Sequence, residues 1–154
     1  MFAWSRLELP LPFACLVEAI RDGPGSWVPE LREEPAGRLL STVMVGSGLQ
    51  RNVVVSLGRL EAGDGWLIQP ICLRAAEMDV LFPVFAGELQ AARLPDAWTE
   101  LALVGSYEPP LGPVGELVDR VVMHRLARHA LAGFLARTGE RVGPAVRTQA
   151  AALP

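Results

Sequence analysis

The chain has 154 residues, 51% of them hydrophobic and 20% charged, and 17 Asp+Glu against 14 Lys+Arg give a formal net charge of −3. That length suits one domain with its own core, and the composition excludes a disordered or collagen-like chain, while the charge lacks the basic excess of a general nucleic-acid binder. All 14 cations are arginines, so Schiff-base, pyridoxal-phosphate and P-loop chemistry are excluded, each needing an amine on a long stem.

Arg6 to Leu11 alternates leucine with polar or proline positions and reads as a strand, Pro10 favouring a sheet edge. Pro12 to Asp22 reads as a short helix, with Pro12 in its first turn and Gly23-Pro24-Gly25 as the stop. Trp27 to Glu34 reads as a second short helical piece, punctuated by Pro29 and Pro35. From Gly37 the pattern changes to strands: Arg38 to Val45, Arg51 to Leu60, Trp66 to Ala75, Val84 to Ala92 and Trp98 to Tyr107. Gly46-Ser47-Gly48 is the first turn between them, and Glu61 to Gly65 the second, with Asp64-Gly65 as its hairpin signal. Gly87 and Gly105 lie inside strands, where glycine marks a bulge or a sharp bend.

Val114 to about Val142 holds no proline, has Glu116 and Asp119 early and Arg137 and Arg141 late, and reads as one long helix ended by Gly143-Pro144. The expected domain is therefore 1–143, with 144–154 a flexible tail. The expected class is α+β. Turn-linked strands form a curved antiparallel sheet, two short helices follow the first strand, and the long C-terminal helix covers the apolar face. A curved sheet around one helix leaves room for a ligand cavity.

The N-terminus lacks the basic start and apolar run of a signal peptide, and no stretch approaches the roughly 20 apolar residues of a membrane span. A cytoplasmic protein without membrane insertion is expected, with Cys15 and Cys72 as reduced thiols. His124 and His129 stand about 140° apart around a helix and cannot grip one ion together, so no metal and no cofactor are expected.

Phe82 to Leu89 (FPVFAGEL) and Glu100 to Gly112 (ELALVGSYEPPLG) resemble the final strands of bacterial members of the START-like superfamily, also called SRPBCC. Leu117 to Ala127 (LVDRVVMHRLA) resembles the start of their C-terminal helix, and Phe134-Leu135 its later part. The resemblance implies the helix-grip fold and a superfamily of lipid-transfer domains, pollen-allergen-type proteins and polyketide cyclases. No catalytic motif of a characterised member is matched, so no catalytic residue carries over. Abundant Ala, Arg, Gly and Pro without lysine fits a GC-rich bacterial genome.

Strand parity makes Trp66, Ile68, Cys72, Phe85, Leu101, Leu103 and Tyr107 the expected cavity wall. Val118 and Val122 join them from a helical stripe that recurs every four residues, Val114 to Phe134. Tyr107 either packs on the following prolines or offers its hydroxyl at the cavity mouth. Arg74, Glu100, Arg125 and His129 are candidate polar anchors. Arg125 and His129 face either solvent or the cavity, and an inward Arg74 requires a carboxylate partner. His124, flanked by Arg120 and Arg128 at helical spacing, reads as surface.

The function expected first is binding of an apolar or amphipathic small molecule between sheet and helix. A polyketide cyclase or dehydratase-like enzyme is the alternative, needing two converging polar groups such as Arg74 with Glu100 or Tyr107. A ligand-free interaction module is the second alternative. The ligand and the oligomeric state are not written in the sequence.

Overall fold

Antiparallel pairing governs most of the chain. In the computed structural model, which describes residues 1–46, 48–77, 82–108 and 120–151, strand β1 (Phe2–Leu9) leads into helix α1 (Phe13–Arg21). Strands β2 (Arg32–Glu33), β3 (Leu39–Val45), β4 (Leu49–Leu57), β5 (Glu61–Gly63), β6 (Trp66–Ala75), β7 (Val84–Arg93) and β8 (Thr99–Glu108) follow. Helix α2 (Arg120–Ala151) comes last. The strands form one antiparallel sheet in the order β1-β8-β7-β6-β4-β3-β2, with β5 beside β6. This is the expected α+β helix-grip arrangement.

Three local expectations are corrected. β1 starts at Phe2, not Arg6, because the alternation already runs through Phe2-Ala3-Trp4-Ser5. Trp27 to Glu34 is not helical: a 3-10 turn at Pro24–Ser26 precedes it, and β2 occupies Arg32–Glu33. Trp27 and Val28 are fully buried there, and Glu30 turns the chain at φ 47°. Packing of two large side chains thus overrides the weak helical pattern. Helical backbone also continues past Gly143-Pro144 to Ala151. The expected helix start at Val114 lies outside the described residues.

The sheet's concave face takes Leu67, Ile71, Leu73, Phe85, Leu89, Ala91, Leu101, Leu103 and Tyr107, all buried. α1 closes one end of it with Phe13, Leu16, Val17 and Ile20, beside Trp27. The C-terminal half of α2 lies against β1, so close that a Cβ on Gly139 would stand 2.9 Å from Leu9. The buried face of α2 is Ala127, Leu131, Phe134, Leu135, Thr138 and Val142. Those steps of three and four average the helical repeat and hold one face throughout. The strict every-four stripe does not: Val122 is 47% exposed. Arg137 ties α2 down, donating to the Thr42 carbonyl on β3 at 2.7 Å and to Glu30 at 2.9 Å.

Gly87 and Gly105 pair directly across β7 and β8, and the Phe85 ring folds over both. A side chain at either would meet the partner strand's backbone, so the two glycines allow the close approach that a sharply bent sheet needs. Among the described residues no helix is long and apolar enough to cross a membrane.

Candidate functional site

Antiparallel register lines up Tyr107, Phe85 and Leu73 across β8, β7 and β6 on the concave face. Val43 and Val45 of β3 continue that floor, and Phe82 and Pro83 stand before β7. Met123, Leu126, Ala127, Ala130 and Leu131 of α2 form the roof. Between floor and roof lies a cavity of about 50 Å³. Ligand pockets of drug-sized molecules run roughly 300–1,000 Å³. In this conformation the cavity therefore admits a small group, and a larger guest extends through its open side or displaces side chains of the roof.

Among the described lining residues the side chains are apolar but for one group, the Tyr107 hydroxyl. Tyr107 is 1% exposed, and its oxygen lies 3.4 Å from His124 Nδ1, the two rings being 6.3 Å apart. Burial raises the phenol's pKa above its ordinary value of 10.0, so at neutral pH it is a neutral hydroxyl. Phe85 separates the cavity from the filled end of the core, where Leu101 and Leu103 are fully buried but do not line the cavity.

The expected site residues divide sharply. Phe85 and Tyr107 meet at the cavity. Trp66, Ile68, Cys72 and Arg74 do not: β6 presents Leu67, Gln69, Ile71 and Leu73 inward, so these four lie on the convex face, with Trp66 44% exposed. Glu100 is also on the convex face, 3.6 Å from Arg6. Arg74 pairs in register with Val54, and Glu100 with Ala92, at opposite ends of the sheet. Neither pairing proposed for the enzyme reading, Arg74 with Glu100 or with Tyr107, converges. Arg125 and His129 are solvent-exposed on α2, and so is Val122; Val118 lies outside the described residues.

Sequence reasoning missed Leu73, Val43, Val45 and the α2 roof. β6 reads WLIQPICLRA, apolar on both faces, so alternation could not choose between them. The roof was legible in the three-and-four spacing of Met123, Ala127, Ala130 and Leu131, which the every-four stripe obscured. His124 was read as surface, and its contact with Tyr107 joins residues 17 apart in sequence.

No protein-family model matches the chain, and no curated protein matches it in sequence. Solved structures do. TTHA0849 from Thermus thermophilus matches at 20% identity and TM-score 0.54, covering 92% of this chain and 97% of that one. Hypothetical protein jhp0584 from Helicobacter pylori matches at 14% identity and TM-score 0.53, covering 90% of this chain and 88% of that one. The lipid transfer and protein localization domain of human StarD13 matches at 11% identity and TM-score 0.48, covering 92% of this chain and 76% of that domain. At that level its lipid transfer says nothing of this chain. The first two likenesses are of fold alone, and they agree with the helix-grip arrangement of sheet and C-terminal helix described above.

Proposed function

We propose that the protein binds a small, predominantly apolar molecule in the cavity between the sheet and α2. One observation carries the reading: a partly open cavity whose described lining side chains are apolar except for a single hydroxyl. Burial of the guest supplies the affinity, at roughly 25 cal/mol per Å² of apolar surface removed from water. Titration with toluene, followed by the methyl resonance of Met123, tests it directly. Saturable shifts at Met123 are expected, and Ala127→Leu, which fills the roof, abolishes them while the protein stays folded by circular dichroism. Absence of any saturable shift, or binding unchanged by Ala127→Leu, rejects the cavity as the site.

A second reading, an interaction module without a ligand, is favoured by the convex face. Phe2 and Trp4 there are 61% and 48% exposed, and pair in register with Ser106 and Val104. Cyclase-like chemistry has no such support, since its candidate polar groups do not meet.

A further inference from the structure

We infer that the cavity selects a neutral ligand carrying one hydroxyl or carbonyl oxygen, held at the Tyr107–His124 pair, and discriminates against carboxylates of the same size. The inference rests on the cavity-binding reading above and adds the chemical class of the ligand.

The argument is one of charge and hydrogen-bond supply. No described lining residue is an arginine. Among the described arginines on the sheet, Arg6 and Arg74 stand on the convex face. Arg51 shares the concave face with Val43 but does not line the cavity, and its guanidinium donates to the Gln50 carbonyl. Arg32 donates to Asn52, Arg93 lies over Phe13 and pairs with Asp64, Arg137 pairs with Glu30, and Arg125 and Arg128 are exposed on α2. The chain has no lysine at all. A carboxylate entering this space would give up its hydration with no arginine or lysine among the described lining residues to replace it, which costs far more than one neutral hydrogen bond returns.

A neutral oxygen fares differently. The Tyr107 hydroxyl and His124 Nδ1 lie 3.4 Å apart, long for a hydrogen bond between such groups. The pair is therefore weakly self-satisfied, and a ligand oxygen can accept a hydrogen bond from the phenol, or a ligand hydroxyl can donate to the phenol's lone pairs, according to the imidazole tautomer. One hydrogen bond at the edge of an otherwise apolar lining fixes orientation without demanding charge. Tyr107 thus acts as the anchor, and His124 positions its hydroxyl.

Toluene, benzyl alcohol and benzoate separate the possibilities, being alike in ring size and different in the polar group. Each is titrated at neutral pH into wild type and Tyr107→Phe, with the Met123 methyl as reporter and circular dichroism as the folding control. Wild type should bind benzyl alcohol at least roughly tenfold more tightly than benzoate. Tyr107→Phe should lower the affinity for benzyl alcohol relative to toluene by roughly three- to tenfold, the worth of one neutral hydrogen bond. Benzoate binding as tightly as the alcohol overturns the neutral class and leaves the cavity reading standing, and its loss in Arg51→Gln would identify the cation responsible. An unchanged alcohol-to-toluene ratio in a folded Tyr107→Phe overturns the anchor. If none of the three compounds binds, the cavity reading fails and this inference fails with it.

Discussion

Tyr107 is the one tyrosine of a chain that has no lysine. Arginine keeps its charge throughout the accessible range, so the alkaline titration of this protein is unusually bare. The buried phenol is harder to ionise in the folded chain than in the unfolded one. Once pH passes the ordinary value of 10.0, the unfolded chain releases a proton that the folded chain retains. The unfolded state then binds fewer protons, and stability falls as pH rises. Below that pH both states hold the proton and the contribution is constant. Urea unfolding at a series of alkaline pH values, in a Cys15→Ser, Cys72→Ser background, should show this decline in wild type and its loss in Tyr107→Phe. The tyrosinate absorbance of the folded protein should also appear at higher pH than that of the unfolded one. A single tyrosine at the end of a strand was visible in the sequence. Its partner was not, because His124 approaches it only through the packing of α2 on β8.

Strand β6 shows how an element can be legible in extent and illegible in orientation. Its bounds, Trp66–Ala75, are those read from the sequence. Its faces are reversed, because a central strand with apolar residues on both sides gives alternation nothing to hold. Pro70 adds a second difficulty, since proline belongs at edges and β6 is paired on both sides. The structure resolves it at the break between β4 and β5. Gly58 donates its N–H to the Pro70 carbonyl at 3.0 Å, and its own carbonyl faces a proline that has no N–H to return. The Gln69 side-chain amide supplies the missing donor to Gly58 at 2.8 Å. Gln69→Leu should therefore cost about 1–3 kcal/mol in urea unfolding, the penalty of a carbonyl left without its partner. In a Pro70→Val background the valine N–H can serve Gly58, and the same substitution should cost clearly less. Equal costs in both backgrounds would mean that the glutamine acts through packing alone.

At the scale of the whole molecule, the order of elements was enough to give a sheet gripping a terminal helix, because hairpin-linked strands leave one apolar face and only one later helix is long enough to cover it. The position of the cavity was not, since it depends on where α1 and Trp27 fill the concave side and where they stop. The sheet's two faces also differ in what their aromatic residues meet. Phe134 of α2 is fully enclosed against the concave side, whereas Phe2 on the convex side is 61% exposed. Phe134→Ala should cost about 3–5 kcal/mol, because it removes a buried ring and leaves a void. Phe2→Ser should cost within about 1 kcal/mol, since most of its ring already touches water. For a domain of this size 1 kcal/mol moves the thermal midpoint by about 2–4 °C, so parallel melting curves resolve the two easily. A Phe2 loss as large as that of Phe134 would show that the convex face is covered in solution, and only the interaction-module reading accounts for a covered convex face.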